Sequence, residues 1–131
     1  MTYQPGAFPA DAILGPGGGY ELEPELPTGT WNVMANGRIY KMEIHGVSKG
    51  MVKGEINSGE FRDGYYDAAS GAFDFTRVLP DGTPQFWSGF LMYHVKNKPQ
   101  DPAHRIAGVM TQLNLAPATR NGGWYATLER R

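Results

Sequence analysis

The stretch GTWNVMANGRIYKMEI, Gly29 to Ile44, decides the architecture. Asn36-Gly37 lies between two runs that alternate apolar and polar side chains. Both positions of a two-residue type I′ turn need positive φ, which Asn and Gly tolerate. Such a turn pairs Ala35 with Arg38, Val33 with Tyr40 and Trp31 with Met42. Trp31, Val33, Tyr40, Met42 and Ile44 then share one face, and Lys41 and Glu43 share the other.

The same pattern continues down the chain. Strand-like runs are expected at about 29–35, 38–45, 51–57, 60–67, 72–79, 83–94, 104–115 and 123–130, most of them joined by short loops. INSGE (Ile56–Glu60) suits a three-residue loop with Gly59 in the left-handed position, pairing Ile56 with Glu60 and Gly54 with Arg62. LPDGT (Leu79–Thr83) suits the same loop and pairs Arg77 with Gln85 and Phe75 with Trp87. DAASGA (Asp67–Ala72) sets Tyr66 opposite Phe73. Threaded together, these turns add Val52, Ile56, Tyr66, Phe73, Phe75, Trp87 and Leu91 to the apolar face. The opposite face receives Lys53, Glu55, Asp63, Asp67, Asp74 and Thr76. The expected fold is all-β: an eight-stranded antiparallel up-and-down β-barrel, whose closure removes exposed strand edges.

Composition agrees and excludes other classes. The 131 residues include 18 glycines and 10 prolines, which leave no room for long helices. Twelve basic against 13 acidic side chains give no electrostatic footprint for nucleic acid or an acidic membrane surface. With no cysteine, disulfide and thiolate chemistry are absent. Residues 1–28 are rich in Pro and Gly without regular period and are expected to form a flexible arm, with 29–131 a single barrel domain. GPGGGY (Gly15–Tyr20) lacks the lysine and the preceding strand of a phosphate loop. No stretch resembles a signal peptide or a membrane span, so the default expectation is cytoplasm, and secretion if a leader precedes residue 1.

In an up-and-down barrel, alternate turns share one rim. Arg38, Arg62 and Arg77 then flank turns at the same end, and Arg120 lies in the loop PATRNGG (Pro117–Gly123) at that end. Crowded like charges call for an anionic ligand or for rim carboxylates such as Glu60 and Asp81. Asp63 and Asp67, ~13 Å apart along a strand, are too far apart for a glycosidase pair. His94 and His104, with Asp101 nearby, lack a definite third zinc ligand. No catalytic residue, metal or cofactor is expected.

Phe86, Phe90 and Met92 face outward in this register, and RIAGVMTQLNL in the run 104–115 is apolar on both faces. A strand apolar on both sides is usually covered on both. A homo-oligomer through this surface is expected, with packing of the N-terminal arm as the alternative.

GTW at Gly29, WSG at Trp87–Gly89, RI at Arg105–Ile106 and WYATL at Trp124–Leu128 resemble, in order and spacing, motifs of the calycin group. The chain is most similar to the avidin and streptavidin family. The resemblance implies that Trp87 is the ligand-stacking tryptophan, that Ser58 lies near a ligand-bonding serine, and that Trp124 reaches a neighbouring subunit's pocket. Val33 stands where the family has asparagine, Ile56 where it has tyrosine and Met110 where it has tryptophan, so most biotin-contacting groups are not retained. The expected function is a non-enzymatic small-molecule-binding barrel for a ligand with an aromatic or apolar body and an acidic group. Its expected site is Arg38, Tyr40, Ser58, Arg62, Tyr66, Phe75, Arg77, Trp87 and Trp124. The alternatives are a barrel enzyme for cyclisation or isomerisation, using Tyr40, Tyr66 and an arginine, and a protein-interaction module.

Overall fold

The computed structural model describes residues 25–92 and 104–129, and the backbone alone at 22–23 and 94–95. Eight antiparallel strands form a closed barrel, and no helix occurs among the described residues. In chain order they are β1 (Gly29–Ala35), β2 (Arg38–Ser48), β3 (Met51–Ile56), β4 (Arg62–Asp67), β5 (Ala72–Val78), β6 (Pro84–Met92), β7 (Arg105–Thr111) and β8 (Asn121–Leu128). Consecutive strands are neighbours throughout, and β8 returns to β1 through pairs from Trp124–Ala35 to Leu128–Trp31.

The first hairpin has the expected register: Ala35 pairs with Arg38, Val33 with Tyr40 and Trp31 with Met42. Asn36 and Gly37 carry φ of 53° and 70°, as a type I′ turn requires. Tyr66 opposite Phe73, Arg77 opposite Gln85 and Phe75 opposite Trp87 also hold. The apolar face is the barrel interior. Trp31, Val33, Met42, Ile44, Ile56, Phe73 and Trp87 are at most 2% exposed. Each such side chain stabilises the fold by roughly 1.5–3 kcal/mol relative to exposure.

One turn differs. Asn57 and Ser58 both take positive φ (49° and 70°), a two-residue turn rather than the three-residue loop expected at Gly59. Ile56 therefore pairs with Gly59 and Glu55 with Glu60. This one-residue shift turns Phe61 toward the core and carries Arg62 to the outer wall, where it pairs with Thr76 and is exposed. A bulge between Arg62 and Tyr65, with Asp63 at φ 53°, then restores the parity that buries Tyr66.

Two glycines let this irregular seam close. A Cβ at Gly64 would overlap the Val52 carbonyl, and one at Gly54 would overlap the Glu43 carbonyl and press on the Phe61 ring.

Strand ends also differ from expectation. β2 runs on to Ser48 through an irregularity between Ile44 and Gly46, and β7 stops at Thr111. The expected strand residues 112–115 belong to a loop closed by the backbone bonds Gln112 N–H to Arg120 O (2.8 Å) and Thr119 N–H to Ala116 O (2.8 Å). Of the expected arm, residues 25–28 lie against the barrel. Leu26 is buried in the core cluster, and the Pro27 carbonyl accepts a 3.2 Å bond from Trp31 Nε1. Leu22–Glu23 pair with His94–Val95, and the rest of the arm lies outside the described residues.

Candidate functional site at the arginine end

The turns at 36–37, 57–58 and 80–82 and the loop 112–120 lie at one end of the barrel, as the alternation of strand direction requires. The β5–β6 turn is the most tightly built of them. The Thr83 N–H donates to Asp81 Oδ1 at 2.9 Å, and this bond holds the Asp81 carboxyl below its ordinary pKa. Gly82 takes φ 88°, and Leu79 and Thr83 close the loop at 2.8 Å. The turn fixes Arg77 opposite Gln85.

A polar chain runs along the barrel end here, over β5, β6 and the loop after β7. Gln85 is the one buried polar or charged side chain among the described residues. Its Oε1 accepts from Arg77 Nη1 (3.3 Å) and from Trp87 Nε1 (3.3 Å), while its Nε2 donates to Gln112 Oε1 (2.8 Å). Gln112 Nε2 passes the chain on to Asn114 Oδ1 (2.9 Å). The Arg77 guanidinium lies over the Tyr40 ring, 5.4 Å from its centroid, a cation–π contact. Among the described residues no carboxylate lies within ion-pair distance of Arg77; its hydrogen-bond partner is a neutral amide.

Beneath this polar layer the barrel is filled with rings. Tyr40 meets Trp87 edge-on at 6.1 Å, Trp87 stacks on Phe75 at 5.5 Å, and Phe61 stacks on the far side of the layer at 4.1 Å from Phe75. Trp124 packs edge-on against Trp87 at 5.4 Å. Its Nε1 donates to the Ser88 carbonyl at 3.1 Å, and its ring crosses Gly89, where a Cβ would come within 2.8 Å of it. Trp124 therefore packs inside its own barrel, 3% exposed, and not toward a neighbour as the avidin resemblance implied.

The structure thus gathers four of the nine expected site residues, Tyr40, Phe75, Arg77 and Trp87, with Trp124 behind them. Arg38 and Ser58 are exposed at turns of the same rim, and Arg62 stands on the outer wall. Tyr66 lies toward the other end, beside a hollow of about 450 Å³ that Glu25, Leu26, Lys49 and Asp67 also line. Arg120 is half-buried, with Nη2 donating to the Leu115 carbonyl at 3.3 Å.

Gln85 and Gln112 were not among the expected site residues. Gln85 was legible as a polar residue at an inward position opposite Arg77, whereas Gln112 was hidden in a stretch read as strand. No group of three His, Cys, Asp or Glu among the described residues is placed to hold a metal ion. Asp101 and the His94 side chain lie outside the described residues. No protein-family model matches this chain, and neither a curated protein nor a solved structure matches it.

Proposed function

We propose that the barrel binds a small molecule at its arginine end, with an acidic group answering Arg77 and a flat apolar body lying against Tyr40. The observation that carries this reading is the state of Arg77: half-buried, held over an aromatic ring, and bonded to a neutral amide at the long distance of 3.3 Å. A carboxylate or phosphate offers that guanidinium a shorter, charge-assisted and bidentate bond. Gln85 and Gln112 can rotate their amides to serve such a group without breaking the strand ladder.

The order of the GTW, WSG, RI and WYATL motifs supports kinship with avidins. Val33 and Ile56, both buried and apolar, offer no bond to a ureido ring, which favours a different ligand. Arg38 and Arg120 add positive charge at the same rim and favour anions on approach.

Thermal unfolding and tryptophan fluorescence, titrated with aromatic carboxylates and their uncharged amides, test this reading. A ligand at ten times its Kd stabilises by ~1.4 kcal/mol, which moves Tm by several degrees in a domain of this size. The acids are expected to raise Tm in the wild type and not in Arg77→Ala. A panel at 100 µM-scale concentration that moves neither protein would overturn it.

A further inference from the structure

The hollow beside Tyr66 lies at the end of the barrel away from the arginines, between the entry to β1, the β2–β3 turn and the end of β4. Its volume of about 450 Å³ is that of a small-molecule site. Leu26 and Tyr66, both buried, make its floor, and Val47 and Tyr65, 38% and 52% exposed, make open apolar walls. Glu25, Lys49 and Asp67 supply its charges.

The backbone beneath these charges is fixed. Next to Glu25, Leu26 is held in the core cluster, and the Pro27 carbonyl accepts from Trp31 Nε1 at 3.2 Å. Lys49 and Gly50 form the β2–β3 turn with φ of 51° and 82°, and the Gly50 carbonyl accepts the Tyr66 N–H at 2.7 Å. Gly50 also leaves room for the wall: a Cβ there would come within 2.6 Å of the Tyr65 ring. Asp67 is committed to its own turn, where its carboxylate accepts from the Ala69 N–H and the Ser70 hydroxyl at 3.0 Å each. Glu25 and Lys49 are different. Among the described residues neither has a hydrogen-bond or ion-pair partner, although both line the same hollow.

We propose that this hollow binds a zwitterion with an apolar body, of the class of a free aromatic α-amino acid. Its ammonium meets Glu25, its carboxylate meets Lys49, and its side chain lies against Val47 and Tyr65. Opposite charges held apart on two anchored segments select for a molecule that carries both. A simple anion would lie beside Glu25 and a simple cation beside Lys49, so each meets a like charge in the same hollow. A zwitterion gains a charge-assisted bond at both ends. The apolar walls favour an aromatic side chain over none. The site shares no residue with the arginine end, so this inference does not rest on the ligand reading there.

Amide NMR spectra of the full-length wild type, titrated with L-phenylalanine at millimolar concentration, test the proposal. The Gly50, Tyr66 and Asp67 amides are expected to shift, and the Arg77→Ala variant is expected to show the same shifts. Phenylalanine amide lacks the carboxylate and N-acetylphenylalanine lacks the ammonium, and each is expected to bind at Gly50 about tenfold more weakly. Glu25→Gln and Lys49→Met, both at exposed positions, are expected to weaken phenylalanine by a similar factor while Tm stays that of the wild type. Absence of shifts at Gly50, Tyr66 and Asp67 would overturn the proposal. So would a single-charge analogue that binds there as tightly as phenylalanine, or undiminished binding in either variant.

Discussion

On the outer wall, β2, β3 and β4 present Lys41, Glu43, His45, Lys53, Glu55 and Arg62 interspersed with the exposed Ile39, Met51 and Tyr65, whereas β6, β7 and β8 present Phe86, Phe90, Met92, Val109 and Tyr125 with Arg105 the one charged outward residue. Both halves bury the same kind of interior, with Met42, Ile44 and Ile56 on one side and Trp87, Leu91 and Ile106 on the other. The barrel therefore does not need its outer wall to differ. The charged half is tied together by its own side chains: Lys41 Nζ reaches Asn32 Oδ1 at 2.6 Å and Glu129 Oε2 at 2.9 Å, and the Thr30 hydroxyl donates to Glu43. Along the face of β6–β8 the described side-chain bond is Thr111 to Asn121 at 2.7 Å, at its margin. This apolar surface adds nothing to the closed core beneath it.

The largest effect expected from probing this contrast concerns glycines. A Cβ at Gly108 on β7 would overlap the Ser88 carbonyl and crowd Gly89 Cα at 2.5 Å, and backbone cannot step aside. Gly108→Ala should cost about 3 kcal/mol or more in urea unfolding. Gly46→Ala on β2, with nothing within 4 Å of its Cβ, should change stability by no more than ~0.5 kcal/mol in either direction. Equal losses at the two sites would mean that the chain is as crowded around Gly46 as around Gly108.

A smaller effect is expected within the charged half. Glu55 stands directly across from Glu43 on one side and Glu60 on the other. Like charges in that relation oppose one another, so Glu55→Gln should stabilise by about 0.5 kcal/mol at low ionic strength, and the gain should vanish in 1 M salt, where the Debye length is ~3 Å. A gain that persists in high salt would point to packing instead of charge.

The smallest effect belongs to the turn that joins the two halves. Hydrogen bonds from Thr83 hold the Asp81 pKa below 3.8. Its contribution is therefore fully present above that value and is lost as pH falls through the lowered one. The Thr83 amide resonance should titrate with a midpoint below 3.8; a midpoint at or above that value would show that the turn bond does not form in solution.

Where turns have one good solution, the register could be read from residues alone. Asn36-Gly37 and Pro80-Asp81-Gly82 each name their turn type, and the pairings they set, Val33 with Tyr40 and Phe75 with Trp87, are those in the structure. The turn after Ile56 was ambiguous because Asn57-Ser58 and Gly59 each supply residues that accept positive φ. That ambiguity misplaced Arg62 and hid Phe61, and the error did not propagate because the bulge at Asp63 restored the alternation. Of the candidate site, Arg77, Tyr40 and the Trp87 layer were legible from parity. Gln112 was not, since only the loop's own hydrogen bonds bring it over the barrel end.

Alternation and turn chemistry are local properties, so the amino-acid sequence was enough to specify an eight-strand meander, its inner face and the end at which the arginines gather. What an arginine meets across that end is not local. The local turn at Asn57-Ser58 sends Arg62 to the outside, but it is closure of the ring that brings Tyr40 of β2 beneath Arg77 of β5. Gln85 and Gln112, 27 positions apart, are brought together by the β6–β7 ladder, one step beyond the Phe86–Thr111 pair. Hydrophobic periodicity and turns set the face and neighbours of a strand, but a contact across the barrel's mouth, such as Arg77 over Tyr40, is chosen only when the last strand meets the first.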